Sequence, residues 1–115
     1  MGTNCLGPFL LSKLLEDTLR KTAASCKDHS DIVRTVWVSS MMAWIAPKGG
    51  VQFDASGTPQ QLKAMDNYMQ SKVGDVFLAS EFAKRFDTDG FISVVSNAVL
   101  LGEPILTICR VFIQV

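Results

Sequence analysis

Tyr68 and Lys72 stand four residues apart in Tyr68-Met69-Gln70-Ser71-Lys72. On a helix that spacing puts a phenol and an ammonium on one face, about one turn apart. A phenol ordinarily ionises near 10. Acid or base work at neutral pH therefore needs a downward shift of about 3, roughly 4 kcal/mol. A neighbouring ammonium favours the phenolate and pushes in that direction. Alone the pair carries little weight, because solvated helix faces carry Tyr and Lys at this spacing by chance. Two further groups fall near it in chain order. Val36-Trp37-Val38-Ser39-Ser40 ends an apolar run on two hydroxyls, and Asn4-Cys5-Leu6-Gly7 precedes the first helical pattern.

Four elements must position these groups. Residues 8–25 predict an amphipathic helix: Leu6, Phe9, Leu10, Leu14, Leu15 and Leu19 recur at helical spacing, opposite Ser12, Lys13, Glu16, Asp17, Arg20 and Lys21. Pro8 suits its first turn. Pro8 also has no N–H for the Asn4 carbonyl four residues back, which would leave that carbonyl free to accept a water. Residues 31–39 predict a strand, followed by a loop over 41–57 with Pro47, Gly49, Gly50 and Gly57. Thr58-Pro59-Gln60-Gln61 has the form of a capped helix start, with Asp66-Asn67 as a break or second cap. Residues 68–86 continue as helix, 87–90 form a turn, and 91–96 form a second strand. Helix, strand, helix, strand is a βαβ arrangement with parallel strands and a right-handed crossover.

Asn4, then Ser39-Ser40 at a strand end, then Tyr68-x-x-Ser71-Lys72 followed by the small Gly74, is similar to the short-chain dehydrogenase/reductase family. The resemblance covers about residues 3–97 and is nearest to the branch with retinol-dehydrogenase-like enzymes. It implies an α/β, partial Rossmann-type fold with two parallel strands and both helices on one face. It further implies an NAD(P)-dependent oxidoreductase that interconverts alcohols with aldehydes or ketones. On that reading Tyr68 is the general acid/base, and Ser40 donates a hydrogen bond to the reacting oxygen. Ser39 would be a strand-end hydroxyl bonded to backbone. Lys72 lowers the ionisation range of the phenol and holds the nicotinamide ribose. Asn4 completes the set through a water near Lys72, its alternative role being a helix cap. Asn97 shapes the nicotinamide site, with Tyr68 and Lys72 also touching cofactor. The helix pair implies a possible dimer interface, or, with catalysis lost, an interaction module.

The sequence departs from the family in places. It has no Gly-x-x-x-Gly-x-Gly phosphate turn, which normally sits at a helix N-terminus. Asn97-Ala98-Val99 stands where Asn-Pro-Gly is usual. Residues 1–97 therefore read as the catalytic segment of the family domain, lacking the nucleotide-binding half, and 98–115 as a divergent apolar tail. The chain by itself is expected to be inactive. Its strands are apolar on both faces, so one sheet face is expected to be bare, with the 105–115 tail able to fold back over it.

Composition limits the alternatives. The 115 residues hold eleven basic and eleven acidic side chains. That balance argues against nucleic-acid binding and against a polybasic membrane anchor. Three scattered cysteines and one histidine offer no metal framework. No apolar run reaches the ~20 residues of a membrane span. No leader pattern opens the chain, and a cytoplasmic location is the expectation. Trp37 reads as core, Trp44 as a pocket-lining candidate and His29 as a solvated turn residue.

Overall fold

The computed structural model describes residues 1–26, 33–86, 92–99 and 107–111, with side chains for 1–26 and 33–85. His29, the 87–90 turn and much of the tail lie outside the described residues. Helix α1 spans Gly7–Ser25 and follows directly on a π-turn at Gly2–Leu6. There the Gly7 N–H reaches back five residues to the Gly2 carbonyl. Such widening is what a chain does where Pro8 removes the donor that a regular helix would aim at Asn4.

Strand β1 (Arg34–Ser40) pairs in parallel with β2 (Ile92–Val99), placing Ser39 opposite Asn97 and Ser40 opposite Ala98. Helix α2 (Ala64–Phe86) connects them and packs on both strands. Along β1 burial alternates with the pleat: Trp37 and Ser39 are buried, while Val36 and Val38 are 54% and 57% exposed. The bare sheet face read from the sequence is thus present at β1.

Among the described residues the sheet has three strands rather than the two expected. β3 (Thr107–Val111) joins β2 antiparallel, with Asn97 opposite Cys109, giving the order β1-β2-β3. Thr107–Val111 therefore widens the sheet at the edge of β2; the rest of the tail lies outside the described residues. An unpaired strand edge presents a row of N–H and C=O groups, and Thr-Ile-Cys-Arg-Val has the β-branched character to satisfy them.

The core lies between the helices and the buried face of β1. Ala23 of α1, Val33, Trp37 of β1, and Ala79 and Phe82 of α2 form it, with Leu19 and Val76 packed alongside. The Phe82 ring sits 5.1 Å from Trp37 and 6.3 Å from Phe9, the latter edge-on. These offset geometries are the favourable ones for aromatic pairs.

Two local expectations are corrected. First, the leucine stripe of α1 does not serve the core: Leu6, Leu10 and Leu14 are 66%, 59% and 72% exposed. The inner face uses Leu19 and the small Ala23 near the helix end. Second, α2 begins at Ala64 and not at Thr58. The Thr58 N–H is taken by the Asp54 carboxylate, and the Gln60 N–H by the Gln52 carbonyl, so this stretch belongs to the loop. Asn67 provides the stop. Its side chain accepts from the Leu62 N–H and donates to the Leu62 carbonyl, at 2.9 and 2.8 Å. Gln70, almost wholly buried, then ties the loop to α2 by donating to the Gln60 carbonyl and accepting from the Gln52 N–H.

Candidate active site

The first third of α2 carries the phenol and the ammonium. Tyr68 is 41% exposed, and its hydroxyl makes no hydrogen bond to the described residues. Lys72, one turn on, lies on the same helix face with its Nζ 5.9 Å from the Tyr68 ring centre. The ammonium is held at two points: it donates to the Val38 carbonyl at 2.8 Å and to Asp75 Oδ2 at 3.0 Å. Both side chains of that ion pair are largely removed from water.

The two serines at the end of β1 divide their work as their alternation requires. Ser39 points to the helix side, is buried, and donates to the Lys72 carbonyl at 2.7 Å. It thereby ties the strand end to α2. Ser40 lies on the opposite parity. Its Oγ accepts from the Met42 N–H at 3.2 Å and caps the short 3-10 turn Met41–Ala43, which packs on α2. Its hydroxyl proton is paired with no acceptor among the described residues. Trp44, just after that turn, is 80% exposed.

Asn4 meets α2 from the other side. Its Nδ2 donates to Ser71 Oγ at 2.9 Å, and Ser71 Oγ donates to the Tyr68 carbonyl at 2.7 Å. Cys5 follows with its thiol donating to the Ser71 carbonyl at 3.1 Å. Burial, aided by the Asp75 charge, pushes that thiol up to about 11, so Cys5 packs as a neutral group. Gly74 is small for a visible reason: a Cβ there would lie 2.6 Å from Cys5 Sγ. Asn97 sits on β2 opposite Ser39.

Lys72, Ser39 and the Val38 carbonyl thus meet where β1 ends against α2, with Ser40 next along the strand, Tyr68 one turn earlier on the helix and Asn4 bonded to Ser71 of that helix. Two participants escaped sequence reasoning, Asp75 and the Val38 carbonyl, while Ser71 was read as part of the motif without its bond to Asn4. A Lys-x-x-Asp spacing was the available signal for the first, since residues three apart meet on a helix. The described residues contain no cluster able to hold a metal and no helix long and apolar enough to cross a membrane. An apolar groove of about 320 Å³ runs between Leu6, Phe9, Val51, Phe53 and Phe77, and it includes none of Ser40, Tyr68 or Lys72.

No family model and no solved structure matches the chain. Curated relatives do. The chain is 38% identical over 99 residues to a short-chain dehydrogenase/reductase of Phomopsis amygdali, covering 84% of this chain and 29% of that protein. It is 38% identical over 109 residues to one of Pestalotiopsis fici (94% of this chain, 33% of the relative). It is 40% identical over 90 residues to one of Emericella nidulans (78% and 28%). Over these residues the chain is homologous to short-chain dehydrogenases/reductases. It spans about 30% of the length of these relatives.

Within this short-chain dehydrogenase/reductase segment, Asp75 has a measurable signature. Burial raises its carboxyl above the ordinary aspartate value, although Lys72 pulls it down. A raised folded-state value stabilises the fold below the unfolded value, and that contribution is lost as pH rises through the folded one. Desolvation therefore outweighs the ion pair. Asp75→Asn removes this titration, so between about pH 3 and pH 7 its urea midpoint is expected to fall less with rising pH, relative to its own value at low pH, than that of the parent.

Proposed function

We propose that this chain carries the acid/base side of an NAD(P)-dependent oxidoreductase that interconverts small alcohols with aldehydes or ketones. One observation carries the reading: the Lys72 ammonium, beside the Tyr68 ring, rests on the Val38 carbonyl within two residues of Ser40. In this reading the exposed Tyr68 hydroxyl gives a proton to the carbonyl oxygen, or takes it from the alcohol. Ser40 donates its unpaired hydroxyl proton to the same oxygen. Lys72 puts positive charge beside the phenol. Asn4 sets the Tyr68 backbone through Ser71. The pattern Tyr68-x-x-Ser71-Lys72-x-Gly74 supports the retinol-dehydrogenase-like branch.

The residues fit part of the dinucleotide. An ammonium has three donors, two of them committed here, which leaves one for a ribose hydroxyl. Asn97, paired with Ser39 in the sheet register, is on this reading the residue that borders the nicotinamide. The pyrophosphate end finds no counterpart among the described residues. The described glycines with positive φ are Gly49, Gly50 and Gly57, in the loop before α2 and not at a strand-to-helix turn. The nicotinamide supplies hydride when bound. On this reading the 115 residues alone bind NADH or NADPH weakly and are inactive, and micromolar binding by calorimetry would contradict that. The catalytic assignment is tested by grafting residues 3–97 into the Phomopsis amygdali relative in place of its matching segment. Retained nicotinamide-dependent turnover supports it, and a folded but inactive graft opposes it. A soluble, cytoplasmic setting is the accompanying proposal.

A second reading is an interaction module, and a specific observation favours it. Leu10, Leu11 and Leu14 on α1 and Phe77 on α2 are each more than half exposed. Exposed apolar side chains, when they adjoin, mark interaction sites. Pairing of two copies through the helices would cover it. Sedimentation of the purified chain at micromolar concentration gives the answer, a dimer being the expected outcome.

A further inference from the structure

Among the described residues Asp75 is the acidic group paired with Lys72, and neither the family motif nor the proposed chemistry requires it. It sits one turn beyond Lys72, on the side away from Tyr68, and is 3% exposed. Its carboxylate and the Val38 carbonyl grip the ammonium from two elements, one on the helix and one on the strand. The strand end is itself fixed to the helix by the Ser39 hydroxyl on the Lys72 carbonyl. The ammonium is therefore held within a closed frame of α2 and β1.

We propose that Asp75 is a positioning residue that acts through Lys72, holding the ammonium between its own carboxylate and the Val38 carbonyl and so setting how much positive charge reaches the Tyr68 phenol. The inference rests on the reading of Tyr68 as the acid/base. Its physical basis is where the ammonium sits relative to the phenol. Held 3.0 Å from a carboxylate one turn further along α2, the charge is drawn away from Tyr68. Without that partner the flexible lysine stem is free to carry its charge closer to the phenol. Burial on both sides of the pair keeps water from screening it. The other titratable groups facing the pair are the Cys5 thiol and the Met1 amino group, both on the π-turn.

The sequence contains a single tyrosine, so tyrosinate absorbance reports on Tyr68 alone. The test follows that band against pH in the purified chain, with circular dichroism confirming the folded state. Parent, Asp75→Asn, Lys72→Gln and the double variant are compared. The double variant retains hydrogen-bonding groups at both positions without either charge. Asp75→Asn is expected to bring the band up about half a pH unit or more earlier than in the parent. In the Lys72→Gln background the same change is expected to have less than half that effect. An unmoved band, or an equal shift with and without Lys72, overturns the proposal. Acylation of Lys72, mapped by peptide mass at neutral pH, checks the grip separately. At least about threefold faster labelling is expected in Asp75→Asn, and equal rates overturn the proposal. Neither readout needs nicotinamide turnover, so failure of the oxidoreductase reading and failure of this inference give different results.

Discussion

Tyr68→Phe in the grafted enzyme is expected to lower kcat/KM for carbonyl reduction by about a hundred- to ten-thousand-fold, the usual contribution of a positioned general acid. The substitution removes one oxygen from a side chain whose hydroxyl makes no hydrogen bond to the described residues. The fold should be indifferent to it. Unfolding midpoints of the two forms should agree closely, with the loss confined to turnover. Ser40→Ala provides the comparison. The Ser40 hydroxyl caps the Met41–Ala43 turn as well as being the proposed donor to the reacting oxygen. It should lower both activity and, by about 0.5–2 kcal/mol, stability. A Tyr68→Phe graft that keeps full activity would remove the phenol from the chemistry.

The second large effect concerns the core. Trp37→Ala is expected to cost roughly 3–5 kcal/mol, read from urea unfolding by circular dichroism. Domains of this size hold only about 5–15 kcal/mol in total, so the variant should be partly unfolded at rest. The reason is visible in the packing: Trp37 is 3% exposed and faces Phe82 at 5.1 Å across the joint between sheet and α2. Trp37→Phe should cost much less. It keeps a ring against Phe82 and removes an indole N–H that is buried without a partner among the described residues. Trp44, largely in solvent, is the internal control, and Trp44→Ala should leave the unfolding midpoint where it was.

The site's two principal groups were legible because their relation is local. A spacing of four on a helix fixes Tyr68 beside Lys72 whatever the rest of the chain does. The β1 boundary was legible from its β-branched run, and Ser39 was correctly read as a strand-end hydroxyl bonded to backbone. Asp75 was not, because its pairing depends on burial beneath the end of β1, a tertiary fact. The same limit explains α1. Its leucine stripe is plain in the sequence, but periodicity identifies a face and not what the face meets. The start of α2 was misplaced because Thr58 and Pro59 have good helix-opening chemistry, while Asp54 and Gln52 claim the N–H groups nearby. The tail was read as folding back over the bare face and not as the neighbour of β2, since pairing is decided by which edge stands open.

The contact between Cys5 and Gly74 has a consequence for observing this protein in motion. The Cys5 sulfur is sealed between the π-turn and α2, while Cys26 at the end of α1 is only partly covered. A thiol reagent can reach Cys5 only when that seam parts, and the same parting releases Asn4 from Ser71. With Cys26 and Cys109 replaced by serine, the slow modification of the remaining sulfur becomes a chemical clock for local opening. It times how often the tether behind the tyrosine lets go.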